Sequence, residues 1–584
     1  MLSGIAKMPE RTKLLLLSLV VGLCSGLAAV LLNWLISKIS SILASGHAAG
    51  YHWMYLALPG IGMLLSMLAV KYIVRDNIGH GVTKVLVAVS KDESKIKPHN
   101  MWSSMLTSAL TIGFGGSVGA EAPIVYTGAA IGSNFGRHFG LSYKNITVLL
   151  GCGAAGAIAG IFKAPLAGVL FTMEILLFNI SMSSMLPLLI STVSATVVAY
   201  VFNGQTSPFQ CSLTPFSMVN IPFYVILGIA CGIGSLYFLR MTLFLEDKIS
   251  HKLPNAFVRW LVCATLLGLL IFLFPMLYGE GYGSLDGLLN NAVSTGDTPL
   301  SFLGGHMWSI PLFFALVFLF KVFAMTFTNA GGGVGGTFGP TLFEGAILGF
   351  IVARTLNIFM IGTGAGFSVP EQNFVLVGMA GLMAGVMQAP MTAIFLIAEM
   401  TGGYDLFLPL ILTSAVSFGT MRIFEKYSIY SKRIANTGEL LTHDSDKSVL
   451  TLLKTADLVR DKYPRIDVSS TLKEIIPVVS ESAVAVFPVL DANGRFCGML
   501  EMDDIRKHFF RKKSVDTLYV RDIMTEAPAF VNENDPMEEV MDKFDQTDAW
   551  RLPVVDDDRK YLGFISKSRI LMAYRAEMKV ISED

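Results

Sequence analysis

Between Leu14 and Phe424 apolar segments follow one another closely, and several are too short to cross a bilayer. A spanning helix needs about 20 apolar residues. The stretches at 102–115, 123–138, 146–160, 373–387 and 389–401 all fall short, and Gly or Pro interrupts them in pairs. Non-helical backbone at membrane depth is tolerated only where it is buried in protein or lines a cavity. The pattern therefore predicts a polytopic membrane protein whose broken helices surround a transport site. Composition excludes the main alternative, because 53% hydrophobic and 15% charged residues do not suit a soluble enzyme of 584 residues.

Formal net charge is zero, so no nucleic-acid partner is expected. Lys7, Arg11 and Lys13 precede the first apolar run and place the N-terminus in the cytoplasm. The run from Leu14 to Leu35 is longer than a signal-peptide core and reads as a retained span. Cys24, Cys152, Cys211, Cys231, Cys263 and Cys497 are scattered without ligand spacing, which predicts neither a metal site nor a disulfide scaffold.

The stretch Gly115 to Pro123 carries the chemistry. Its glycines let the backbone leave the helix, Pro123 favours the first turn of a new one, and Glu121 stands at that start. A helix N-terminus attracts anions, so a carboxylate on the lip acts as a tethered plug. In a membrane such a carboxylate is costly and reads as functional.

Two repeats organise the chain. Gly160-Ile161-Phe162-Lys163-Ala164-Pro165-Leu166, continuing to Phe171 and Glu174, returns as Gly385-Val386-Met387-Gln388-Ala389-Pro390-Met391, continuing to Leu396 and Glu399, at an offset of 225 (390 − 165). Glycine-rich breaks ending in proline lie upstream of both copies, at 116–123 and 331–340. Two broken-helix units, about 14–203 and 221–424, predict structural repeats with the site at their junction and helix N-termini aimed at an anion. After Lys426 the chain becomes polar. Phe487-Pro488-Val489-Leu490-Asp491 returns as Leu552-Pro553-Val554-Val555-Asp556 at an offset of 65 (553 − 488), predicting a soluble α+β module of two helix–strand–strand–helix motifs.

With these motifs the chain resembles the CLC family of chloride channels and chloride/proton antiporters, followed by a tandem pair of cystathionine-β-synthase (CBS) domains. The resemblance rests on Gly119-Ala120-Glu121-Ala122-Pro123, Ala164-Pro165-Leu166-Ala167-Gly168, Gly336-Thr337-Phe338-Gly339-Pro340 and Ser428-Ile429-Tyr430, in the family's order. It implies inverted repeats and a homodimer in the lipid bilayer with an anion pathway in each subunit. The expected division is a transmembrane domain at 1–436 and CBS motifs at 450–515 and 516–580. By resemblance Glu121 is the gating glutamate and proton acceptor. Gly79, His80, Thr337, Phe338 and Tyr430 bind the central chloride, and Ala120 and Ala122 supply outer-site backbone. The expected setting is the plasma membrane, the inner membrane of a prokaryote, with the CBS tail cytoplasmic. The expected role is chloride transport without enzymatic activity or a required cofactor.

Three positions depart from the family pattern. His80 replaces a serine, and its imidazole either donates to chloride with a pH dependence or turns aside. Ala122 replaces a glycine, which stiffens the lip. Ile175 stands where antiporters carry an inner proton-transferring glutamate, so the resemblance favours channel-like or weakly coupled conduction, with proton-coupled antiport the alternative. Glu174 and Glu399 read as structural, and Lys163 as snorkelling. In the tail Asp504 and Ser566 each keep half of an adenine-nucleotide signature, and a structural or dimerising role is favoured over nucleotide binding.

Two other function classes compete. Gly115-Gly116-Ser117-Val118-Gly119 matches a serine-hydrolase elbow formally but lacks an identifiable histidine with an orienting acid. A cation transporter with a CBS tail needs several converging intramembrane carboxylates, and the chain offers few.

Overall fold

The computed structural model describes residues 9–48, 54–76, 78–90, 93–176, 182–206, 208–209, 213–289, 307–364, 367–436, 453–509 and 518–582. Lys7, Cys211 and the expected boundaries at 450 and 515–516 lie outside the described residues. The chain forms two compact units, Met1–Leu440 and Leu441–Asp584.

Among its described residues the regular elements of the first unit are helices. Its elements are α1 (Glu10–Ala48), α2 (Met54–Leu68, continued by a π-helical turn Ala69–Val74), α3 (Gly81–Ser90), α4 (Ser103–Gly113), α5 (Glu121–His138), α6 (Tyr143–Phe162), α7 (Pro165–Glu174) and α8 (Met182–Asn203). There follow α9 (Ile221–Lys252), α10 (Ala256–Leu273), α11 (Tyr282–Leu289), α12 (Ser309–Ala330), α13 (Phe338–Thr363), α14 (Glu371–Met387), α15 (Pro390–Met400), α16 (Phe407–Phe424) and α17 (Ile429–Asn436). Among the described residues nine helices are long and apolar enough to cross a membrane. Three helices, α3, α11 and α17, belong to none of the apolar runs read from the sequence.

The repeat is visible in backbone detail. Lys163 and Gln388, both left-handed at φ 57° and 53°, end α6 and α14. Ala164 and Ala389 then turn the chain, and Pro165 and Pro390 open α7 and α15, where a missing N–H costs nothing. Lys163 Nζ donates to the carbonyls of Asn203, Gly204 and Thr206 at 3.2, 2.9 and 2.9 Å. It thus closes the C-terminal end of α8 instead of reaching for the membrane surface. Gln388 Nε2 donates to Glu425 O at 3.0 Å and closes the end of α16 in the same way.

Within the bilayer helices associate by close packing of small residues. A Cβ on Gly153 would stand 1.9 Å from Gly128 O, holding α5 against α6, and one on Gly378 would stand 2.4 Å from Gly345 O, holding α13 against α14.

In the second unit each motif folds into a three-stranded sheet. β1 (Ile466–Asp467) runs parallel to β2 (Val486–Leu490), which pairs antiparallel with β3 (Phe496–Glu501); β4 (Val531–Asn532), β5 (Arg551–Val555) and β6 (Tyr561–Ser566) repeat the arrangement. Pro488↔Met499 and Pro553↔Phe564 hold the same register. Leu490, Phe496, Val555, Tyr561 and Phe564 form one apolar cluster shared by the motifs. The two-residue strands β1 and β4 are too short for periodicity to reveal.

Candidate functional site

The two glycine-rich breaks meet directly. Gly119 N donates to Gly336 O at 3.0 Å and Gly336 N to Gly119 O at 2.7 Å. Around this exchange Ser117 N donates to Thr328 Oγ1 at 3.1 Å, and Val334 N to Thr111 Oγ1 at 3.0 Å. Each repeat therefore supplies the acceptors that the other's broken backbone needs. The breaks lead into α5 and α13, so two helix N-termini face one another.

Glu121, 1% exposed, sits between them. Its Oε2 accepts from Gly339 N in the first turn of α13 at 3.2 Å, and its Oε1 accepts from Tyr282 Oη at 2.8 Å. The carboxylate from one repeat thus occupies the helix N-terminus of the other. A Cβ on Gly119 would lie 2.0 Å from Glu121 Oε2, so the glycine makes room for the plug.

Of the other nominated residues, Ala122, Thr337, Phe338 and Tyr430 have contacts around these breaks, and Gly79 and His80 lead into Gly81. Gly81, at the start of α3, packs so closely that a Cβ there would lie 2.4 Å from Ala122 O. A Cβ on Gly336 would meet that of Ala122 at 2.8 Å, so the extra methyl at 122 is accommodated by the bare glycine opposite. Thr337 immediately precedes α13 without capping it through its side chain, and Phe338 begins the helix, its ring packed against Phe162 and Phe171 at centroid distances of 5.6 and 6.1 Å. The Tyr430 hydroxyl, from α17, faces Thr337 Oγ1. Both atoms are buried, and neither completes a well-formed hydrogen bond with any described residue. Two hydroxyl donors left over in a buried pocket suit an anion acceptor. The chemistry of this donor set, neutral O–H and N–H groups, fits a transported halide.

His80 lies just before α3, and its Nε2 is 3.6 Å from Glu246 Oε1. Arg433 grips the same carboxylate, Nη2 to Oε1 at 2.6 Å and Nε to Oε2 at 3.2 Å. The imidazole thus looks toward an ion pair one turn beyond Tyr430. Glu174 and Glu399 sit in the structural positions expected of them. Glu399 accepts from Leu166 N and Ala167 N at 3.0 and 2.9 Å, capping α7. Glu174 accepts from Met391 N at 3.0 Å, Thr392 N at 2.7 Å and Thr392 Oγ1 at 2.7 Å, capping α15. Ile175 is buried.

Several site residues were not read from the sequence. Glu280 Oε1 accepts from Ala120 N at 2.8 Å. Lys321, fully buried, donates to Ser117 Oγ at 2.8 Å and Gly279 O at 3.2 Å and lies over the Phe343 ring at 4.9 Å. Glu344 is fully buried close to Lys321. Three carboxylates, Glu121, Glu280 and Glu344, therefore surround one lysine, which corrects the expectation that few intramembrane carboxylates converge. The signal for Lys321 and Glu344 was a charged residue inside an apolar run, and for Glu280 a carboxylate between two glycines. A lysine at the centre disfavours a cation, and among the described residues no group of three His, Cys, Asp or Glu side chains is placed to hold a metal ion. The Ser-His hydrolase reading gains no support, because Ser117 Oγ accepts from the Lys321 ammonium at 2.8 Å.

In the soluble unit Asp504 is engaged by Lys507 Nζ at 2.9 Å and Thr525 Oγ1 at 3.4 Å, while Ser566 Oγ lies 3.3 Å from Ser568 Oγ.

The voltage gated chloride channel family model matches residues 61–422, and the CBS domain model matches 456–511 and 520–576. A ClcB-like chloride channel protein of Ralstonia nicotianae is 28% identical over 410 residues, covering 69% of this chain and 90% of that protein. An H+/Cl− exchange transporter of Vibrio cholerae is 27% identical over 455 residues, covering 72% and 89%. Among solved structures, a slow cyanobacterial Cl−/H+ antiporter superposes with a TM-score of 0.63 at 24% identity, covering 74% of this chain and 98% of that one. A eukaryotic CLC transporter superposes with a TM-score of 0.58 at 18% identity and covers 95% and 97%.

Proposed function

Because the chain belongs to the voltage-gated chloride channel (CLC) family, a family of multi-pass anion transporters and not of enzymes, we propose that it moves chloride along a pathway gated by Glu121. The observation that carries this reading is the Glu121 carboxylate folded onto the Gly339 N–H, where a permeating anion would bind. When the carboxylate takes a proton or swings away, that N–H becomes available to chloride. Phe338 and Thr337 offer backbone N–H groups further in, and Tyr430 offers a hydroxyl. None of these carries a full charge, so an anion is bound weakly enough to leave.

Buried Ile175 favours channel-like or weakly coupled conduction, because a hydrocarbon side chain has no site for a proton. The test is the reversal potential of the purified protein in liposomes under a chloride gradient, repeated with an opposing pH gradient. The expected potential follows the chloride Nernst value and ignores pH. A shift with the pH gradient establishes proton antiport instead. Assembly as a homodimer in a prokaryotic plasma membrane, with the tail in the cytoplasm, belongs to the same proposal.

The position of His80 beside Glu246 and Arg433 supports a role at the mouth on the Tyr430 side, with the imidazole oriented by the carboxylate. His80→Ser is expected to leave chloride KM near neutral pH within about twofold and to abolish any tightening at acid pH, because serine keeps a donor and loses the titration. Burial, reinforced by the Arg433 charge, lowers the His80 imidazole to about 4, so chloride titrations of both proteins at about pH 4 and about pH 7 check this, and equal pH dependence counts against it.

The CBS pair is read as a structural or dimerising module. Asp504 already satisfied by Lys507 and Thr525 supports that role over adenine-nucleotide binding.

A further inference from the structure

The loop before α11 does more than connect helices. Gly279 and Gly281 have φ of +63° and +92°, a left-handed backbone that favours glycine, and they flank Glu280. Gly279 N donates to Gly115 O at 3.1 Å, and its carbonyl accepts from buried Lys321, so both sides of this peptide tie the loop to the first break. Fixed in this way, the strap from Gly279 to Tyr282 delivers two groups to the gate. Tyr282 holds Glu121, and Glu280 takes the Ala120 N–H.

That N–H is no ordinary acceptor's partner. Ala120 stands just before α5 as Thr337 stands just before α13, so the two N–H groups are counterparts in the facing repeats. A carboxylate oxygen 2.8 Å from it makes the charge-assisted contact that an anion would otherwise make. Glu280 is half-buried whereas Glu121 is 1% exposed. The charged and titratable groups around it are Glu121, Lys321 and Tyr282, and Lys321 in turn interacts with Glu344.

We infer that Glu280 is a second gating carboxylate, which competes with chloride for the Ala120 N–H in series with Glu121 at the Gly339 N–H. This rests on the anion-transport reading. It adds that two tethered anions, one on each repeat's helix N-terminus, must be displaced before chloride passes. Lys321 holds the strap through Gly279, so the displaced carboxylate stays close enough to return.

The experiment compares full-length wild type, Glu280→Gln, Glu280→Ala and Glu121→Gln in two assays, chloride flux from liposomes and calorimetric chloride binding in detergent. Glutamine keeps a carbonyl that accepts from Ala120 N–H but loses the charge, which is worth about a factor of two in hydrogen-bond strength. The expected result is chloride binding about fivefold to tenfold tighter, with KM lowered in proportion, in both Glu280 variants. A merely structural prop would leave binding unchanged in Glu280→Gln and lower only the thermal stability of Glu280→Ala. That outcome overturns the inference. If flux responds to Glu121→Gln while neither Glu280 variant alters binding or KM, competition by Glu280 is excluded and anion transport stands. If no variant moves chloride but both Glu280 variants bind it more tightly, transport falls and the competition stands.

Discussion

Glu121→Gln is expected to raise the apparent chloride affinity about tenfold and to remove the pH dependence of chloride flux. The carboxylate holds its place by two hydrogen bonds, from Tyr282 Oη and Gly339 N. Bonds to an ionised acceptor are about twice as strong as neutral ones. Replacing it by an amide of the same shape therefore weakens the plug by about 1–2 kcal/mol, or roughly tenfold in the competition with chloride. Glutamine also takes up no proton, so acid no longer opens the gate. Flux from liposomes loaded at about pH 5 and about pH 7 checks both effects. A variant with the pH profile of wild type would remove Glu121 from the gate.

Glu174→Ala and Glu399→Ala are expected to destabilise the membrane unit by about 2–3 kcal/mol each, without a direct effect on anion selectivity. Each carboxylate satisfies two backbone N–H groups at the start of a helix in the opposite repeat, Met391 and Thr392 in one case and Leu166 and Ala167 in the other. Alanine leaves these donors unmet at a proline-initiated helix start, where few other acceptors are within reach. Unfolding midpoints in detergent should fall by several degrees for each alanine variant. The glutamine variants, which retain one acceptor oxygen, should fall by less. Unchanged midpoints would show that neighbouring groups cap these helices instead.

Glu121 and the break holding Thr337 and Phe338 stood out in the sequence because glycine, proline and repetition are local signals, whereas Tyr430 was nominated by the family resemblance alone. A broken apolar segment announces itself wherever it occurs, and a second copy multiplies the signal. Glu280, Tyr282 and Lys321 carried no such mark. Their meaning depends on a fold that brings residues 120 and 280, or 117 and 321, into hydrogen-bond contact. A carboxylate between two glycines and a lysine within an apolar helix were nevertheless readable as costly choices in a membrane. The role of Lys163 was hidden for a similar reason. Snorkelling is the default for a lysine at a helix end, and only the fold brings the carbonyls of 203, 204 and 206 to it. The short helix α3 escaped because Gly81–Ser90 is one flank of a polar turn and not part of a long apolar run.

The exchange of hydrogen bonds between the two breaks also bears on how the chain is made. Ser117 waits for Thr328, 211 positions downstream, and Val334 reaches back 223 positions to Thr111. While the ribosome is still translating the middle of the chain, Ser117 N and Gly119 N lack their acceptors and Glu121 has no helix end to rest on. The gate therefore closes as a late event of biogenesis. A nascent chain halted before residue 328 holds an unfinished half-pore, with bare peptide groups at the place where the finished protein meets its ion.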